Sequence, residues 1–181
     1  MKLLMENWRK YLNEEKLRVF DFDDTLAVTD SKIILHKADG ETIEQTPGEW
    51  AIYIPQQGDK FDFAQFRGDL INPREIKKNM DIFRKVLAAG SEGRKTVILT
   101  ARSDDAREGI LKFLKDMEIN LSNLELVTLD SSDPQDKAKW IEQRIEEGYD
   151  DIVFLDDSYK NIAAVAALEK KYPVELEARL V

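Results

Sequence analysis

The chain has 181 residues, 43% hydrophobic and 35% charged, a composition suited to one well-buried domain with room for a small insertion. Its formal net charge of −9 argues against an extensive nucleic-acid-binding surface, which needs a basic footprint, and leaves room for a local basic pocket around one phosphate. With no cysteine and one histidine, His36, thiolate, zinc, serine-triad and histidine-rich dinuclear chemistries lack their residues; carboxylates, hydroxyls, lysine, arginine and a hard cation are left.

No apolar run approaches the roughly 18–20 residues that span a bilayer, and the charged N-terminus has no signal-type apolar core, so a cytoplasmic protein without a membrane partner is expected. Leu4, Trp8 and Leu12 recur at helical spacing and predict an amphipathic helix over residues 2–13, with residues 1–16 forming an appendage to the core. LRVFDF (17–22) reads as a first buried strand that runs into Asp21-Phe22-Asp23-Asp24-Thr25.

Residues 31–71 change character. SKIILHK and ETIEQ flank Ala38-Asp39-Gly40, a hairpin turn, and a stretch rich in Pro, Gly and aromatic residues without a clear period follows. This segment reads as a hairpin with a loop-rich extension, inserted between two parts of a core at 17–30 and 72–181. His36 falls in the hairpin as a surface or packing residue. Trp50, Tyr53, Phe61, Phe63 and Phe66 either form the insertion's own small core or stack on a base or sugar.

Asn72-Pro73-Arg74-Glu75 has the cap, proline and glutamate of a helix start, with Ile76, Met80, Phe83 and Leu87 as the apolar stripe and Gly90 past its end. TVILT (96–100) is a second strand. A helix over 104–117 buries Ile110, Phe113, Leu114 and Met117, and LELVTL (124–129) is a third strand. Asp133-Pro134 opens a helix that carries Trp140, Ile141 and Ile145 to Gly148, and DIVFLD (151–156) is a fourth strand. A helix from Ser158 to Lys171 and an edge strand in VELEARLV complete the chain.

Alternating strands and amphipathic helices predict an α/β fold, a Rossmann-like doubly wound parallel sheet, with ligands outside the carboxyl ends of the strands. Strand one ends in Asp21 and Asp23, strand two in Thr100-Ala101-Arg102, and strand four in Asp156-Asp157, so one rim gathers them all. Asp21 and Asp156 suit a Mg²⁺ ion, which favours carboxylate oxygens with waters and a substrate phosphate. Strand alternation aims Asp21 and Asp23 at one side, where one can act as nucleophile and the other as general acid/base. A calcium loop of the EF-hand type fails, because position six from Asp21 is Leu26 rather than glycine. Asp104, Asp105, Asp130 and Asp133 read as turn or cap residues.

The D-x-D-x-T run after an apolar strand, the following ILT, a later lysine and the final Asp156-Asp157 resemble the four signatures of the haloacid dehalogenase (HAD) superfamily, in order, over residues 17–165. The resemblance implies that Asp21 forms an aspartyl-phosphate and Asp23 protonates the leaving oxygen. It implies that Thr100 and a lysine bind the phosphate, and that Asp156, Asp157, Asp21 and the Asp23 backbone carbonyl hold Mg²⁺. An aspartate at position 23 implies phosphatase or phosphotransferase chemistry rather than dehalogenation. Lys137, in line with Ile141 and Ile145, is the expected lysine and Lys139 the alternative. Thr25 and Arg102 are expected substrate contacts, although Arg102 could equally pair with a carboxylate at the rim.

The resemblance places a flap or small cap at 31–71, too short for a full helical cap. The expected function is a Mg²⁺-dependent phosphomonoester hydrolase acting on a nucleotide, a nucleic-acid end or another small phosphorylated molecule. TVILTARS is also similar to the phosphatase modules of polynucleotide-repair enzymes. Leu12-Asn13-Glu14 after the first helix resembles the packaging leaders of tailed-phage head proteins. The alternative to an enzyme is therefore a HAD-like binding or phage-packaged protein without turnover.

Overall fold

The computed structural model describes residues 15–90 and 94–181. The helix expected over 2–13 and the Leu12-Asn13-Glu14 motif lie outside them. In chain order the elements are β1 (Glu15–Phe20), β2 (Ala27–Val28), β3 (Ile33–His36), β4 (Thr42–Gln45), α1 (Pro47–Ile52), β5 (Lys60–Asp62), β6 (Arg74–Glu75), α2 (Lys77–Ala88) and β7 (Arg94–Thr100). They continue with α3 (Arg107–Asp116), β8 (Leu124–Thr128), α4 (Pro134–Glu147), β9 (Tyr149–Asp156), α5 (Tyr159–Ala166) and β10 (Glu175–Leu180).

Five strands form a parallel sheet in the order β10-β9-β1-β7-β8. Alternation along each strand explains why both faces are apolar. Phe20, Ile98, Leu126 and Leu155 pack against Met80 and Phe83 of α2 and Ile110, Phe113 and Leu114 of α3. Val19, Val97, Leu99 and Phe154 pack on the other face against Ala138, Ile141 and Ile145 of α4 and Val165 of α5. Each such fully buried side chain contributes about 1.5–3 kcal/mol, and a sheet covered on both faces reads as continuous apolar runs. The chain proceeds from β1 outward to β7 and β8, then crosses back to β9 on the opposite side of β1. The order therefore reverses between β1 and β9, and the crevice outside their carboxyl ends is the natural ligand site.

Local chemistry sets the helix ends where it was legible. The Asp133 carboxylate accepts from the Gln135 N–H and Pro134 occupies the first turn of α4. Gly148 ends that helix at φ 116°, a conformation that favours glycine. One expected boundary is corrected. Asn72 to Glu75 do not begin a helix: Asn72 lies at φ 45°, and Arg74 and Glu75 pair antiparallel with Val28 and Ala27. The Ile76 N–H donates to the Leu26 carbonyl, so α2 starts only at Lys77. The cross-chain pairing outweighs the local cap signature.

The insertion holds its own antiparallel sheet, β4-β3-β5, with the expected turn near Ala38-Asp39-Gly40. His36 is exposed there, its Nδ1 3.2 Å from the Thr42 hydroxyl. Helix α1 and strand β5 replace the loop expected after the hairpin. Thr46 and Glu49 cap α1 reciprocally, a Thr-x-x-Glu signature present in the sequence. Trp50, Tyr53, Phe61 and Phe63 meet mostly edge to face, with ring centroids 5.5–6.5 Å apart. The β2–β6 pair forms the neck of the insertion, beside which Arg74 and the Asn72 amide both hold Asp30. Among the described residues no helix is long and apolar enough to cross a membrane.

Candidate functional site

Asp21 is the first residue beyond β1, and its N–H still donates to the Leu155 carbonyl of β9 at 2.9 Å. Asp156 ends β9. That pairing brings two buried carboxylates together across the crevice, and the ammonium of Lys137 lies between them. It donates to Asp21 Oδ1 at 2.5 Å and to Asp156 Oδ2 at 2.7 Å. Lys137 reaches this point because α4 packs Ala138, Ile141 and Ile145 on the sheet and carries the lysine on its buried side. Lys139 points to solvent and pairs with Asp136.

Asp156 is held by three groups. Besides Lys137, the Ser158 N–H donates to Oδ1 at 2.8 Å, and the Asn161 amide donates to both oxygens at 3.0 Å. Asn161 was not expected. Its signal is a lone amide at the third position of the helix YKNIAAVA, five residues after Asp156. These bonds explain how a fully buried aspartate keeps its orientation.

Asp157 completes a group of three carboxylates, with Asp21 and Asp156, whose oxygens lie within 4.8 Å of one another. Carboxylate oxygens gathered this closely suit a small hard cation, which takes oxygen ligands and completes its shell with water. The charge agrees, since three carboxylates face one ammonium. The residues fit a hard divalent cation.

Burial pushes the Asp21 carboxyl well above the usual carboxylate range; Lys137 opposes this rise, and Asp156 and Asp23 add to it. Partial burial, helped by Asp156 and Asp24, pushes Asp157 up to about 6. Burial by itself would lower Lys137, but Asp21 and Asp156 outweigh it and hold the ammonium above the ordinary lysine range. The raised Asp157 carboxyl means that the metal-free folded chain retains there a proton that the unfolded chain has lost between about pH 4 and pH 6. Stability of the metal-free protein accordingly falls as pH rises through this window. Added Mg²⁺ should raise the melting temperature more at pH 7.5 than at pH 5, which thermal denaturation at both pH values will read. Equal shifts would exclude these carboxylates as the ion's ligands.

Asp23 belongs to a second cluster. Arg102 Nε donates to its Oδ2 at 2.8 Å and Nη2 to its Oδ1 at 2.7 Å, a bidentate pair. The same guanidinium donates to the Thr29 hydroxyl at 3.1 Å and lies 4.9 Å from the centre of the Phe66 ring. The simple alternation of strand residues does not extend this far, because β1 ends at Phe20 and Asp24 turns the chain at φ 55°. Asp21 and Asp23 therefore share a rim but have different partners, and the Asp23 carboxylate lies outside the three-carboxylate group.

Both expected substrate contacts have partners within the fold. The Arg102 side chain is 1% exposed and engaged with Asp23, the carboxylate pairing that stood as the alternative to substrate binding. Thr25 has no exposed surface. Its hydroxyl accepts from the Asp157 N–H at 3.1 Å, and its carbonyl accepts from the Asn79 amide at 2.9 Å, which ties the turn after β1 to β9 and α2. Thr100, at the end of β7, is fully buried, and its hydroxyl accepts from the Arg102 N–H at 3.2 Å. Of the acidic residues read as turns and caps, Asp133 caps α4 and Asp130 turns at φ 49°, while Asp104 accepts from the side chains of Arg107 and Thr128.

No family model matches this sequence, and no curated protein matches it.

Proposed function

We propose that the chain is a HAD-type, Mg²⁺-dependent phosphomonoester hydrolase that works through an aspartyl-phosphate. The observation that carries this reading is the meeting of Asp21, Asp156 and Asp157 with the buried Lys137 at the point where the sheet order reverses. When bound there, Mg²⁺ supplies positive charge against the phosphate oxygens.

Lys137 holds Asp21 by Oδ1, which leaves Oδ2 to attack phosphorus. The new Oδ2–P bond forms as the bond from phosphorus to the ester oxygen breaks, and the leaving oxygen takes a proton that Asp23 carries on the oxygen it frees from the Arg102 fork. Water then attacks phosphorus, Asp23 takes its proton, and inorganic phosphate leaves Asp21. Lys137 and the Thr100 hydroxyl stabilise charge on the transferred group.

Arg102 acts in this scheme by orienting Asp23. Arg102→Lys keeps the charge but loses the planar fork. Displacing a proton donor by about 1 Å costs about 10²-fold in kcat, and KM should change little because the guanidinium grips no substrate. A KM effect with unchanged kcat would mean that Arg102 binds substrate instead. The reading as a whole is tested by assaying the full chain with Mg²⁺ on p-nitrophenyl phosphate and a panel of phosphate esters. Inactivity across the panel, together with no Mg²⁺ binding by calorimetry, would overturn it in favour of a HAD-like binding protein.

A further inference from the structure

Next to Asp23 a cavity of about 480 Å³ opens between the insertion and the core. That volume suits a small organic ligand rather than a phosphate alone. Its insertion wall carries Trp50, Phe63 and Phe66, all half-buried. Its floor is the loop after β8, whose N–H groups at Leu129, Asp130 and Ser131 donate to the carbonyls of Thr100, Arg102 and Ala101. An aromatic wall, in which Trp50 and Phe63 meet edge to face, thus stands opposite a floor held by backbone hydrogen bonds.

The charges decide what kind of group fits. Both guanidiniums that line the cavity are already paired: Arg102 with Asp23, and Arg67 with Asp130 at 3.6 Å. Asp133 adds a further negative charge to the lining. A second phosphate, a carboxylate or a polyphosphate tail would meet no unpaired cation there. A flat uncharged ring gains by stacking, and bases stack on such side chains irrespective of sequence.

We infer that this cavity binds the base of a nucleoside monophosphate, with its single phosphate at Asp21 and the ester oxygen beside Asp23. The inference rests on the phosphomonoesterase reading for its orientation. It selects mononucleotides over polynucleotide ends, because a further phosphodiester in the cavity would find both guanidiniums already paired and the Asp133 carboxylate beside them.

The full chain with Mg²⁺ is assayed on adenosine 5′-monophosphate, ribose 5-phosphate and a 5′-phosphorylated oligothymidylate. Stacking predicts kcat/KM for the mononucleotide about ten- to a hundredfold above that for ribose 5-phosphate, and above that for the oligonucleotide. Trp50→Ala should bring the first ratio towards one, and Trp50→Phe should keep most of it, because the phenyl ring still stacks. Ribose 5-phosphate turnover serves as the internal control for a disturbed insertion. A ratio near one in the unmodified protein, or faster turnover of the oligonucleotide, overturns the assignment. If p-nitrophenyl phosphate and every other ester stay intact, the phosphatase reading fails alone, and adenosine titrated into the metal-free protein decides the cavity. Saturable quenching of tryptophan fluorescence that is lost in Trp50→Phe supports it, and no quenching overturns it.

Discussion

Asp21→Asn is expected to abolish phosphate-ester hydrolysis, by on the order of 10⁴-fold or more in kcat, while the protein stays folded. The loss follows because an amide cannot form the acyl-phosphate through a carboxylate oxygen, and water has no second activated nucleophile to replace it. The retained fold follows from the charges. Lys137 loses one of its two carboxylate partners but keeps Asp156, so the metal-free site changes from two buried carboxylates around an ammonium to a neutral pair. Burial already pushes the Asp21 carboxyl upward, so removing its charge relieves a cost. The melting temperature without Mg²⁺ should hold or rise, and the increment that Mg²⁺ adds should shrink. Turnover and thermal denaturation on the same preparation separate these effects. Undiminished hydrolysis by Asp21→Asn would remove Asp21 as nucleophile.

The parallel sheet was legible in the sequence because its cause is local. A strand covered on both faces reads as VILT or IVFL without alternation, and a helix with one buried side repeats at three and four residues, as Met80, Phe83 and Leu87 do. The same periodicity distinguishes Lys137 from Lys139, since two residues of helix turn a side chain from the core to solvent. What was not legible depends on partners distant in the chain. Nothing near Arg102 in sequence says that its fork will close on Asp23, 79 residues earlier, rather than on substrate. The burial of Thr25 depends on Asn79 and Asp157, which only the closed sheet brings to it. The cap-like Asn72-Pro73-Arg74-Glu75 failed for a related reason. Its backbone groups found Ala27 and Val28, and a strand pair outweighed a weak local preference. Asn161 is the instructive omission: an amide in the first turn of the helix that follows two aspartates is placed to fold back on one of them.

The second large effect is on stability. Lys137→Met replaces the only cation in contact with both Asp21 and Asp156 among the described residues by an apolar chain of similar length. The lysine is 3% exposed, so neither water nor salt can take over its charge. Two buried carboxylates then face each other without compensation, and breaking a buried ion pair from one side costs about 3–5 kcal/mol. In a domain of this size each kcal/mol moves the midpoint by about 2–4 °C, so melting should fall by on the order of 10 °C at neutral pH. Two conditions should recover part of that loss. Lowering the pH favours the neutral form of Asp21, whose carboxyl burial already pushes upward, and saturating Mg²⁺ places a cation back among the carboxylates. Lys139→Met, on the solvent side of the same helix turn, is the control and should stay within about 0.5 kcal/mol. If Lys137→Met melts like Lys139→Met at every pH, the ammonium is not what holds the two aspartates together, and the proposed division of labour between lysine and metal fails with it.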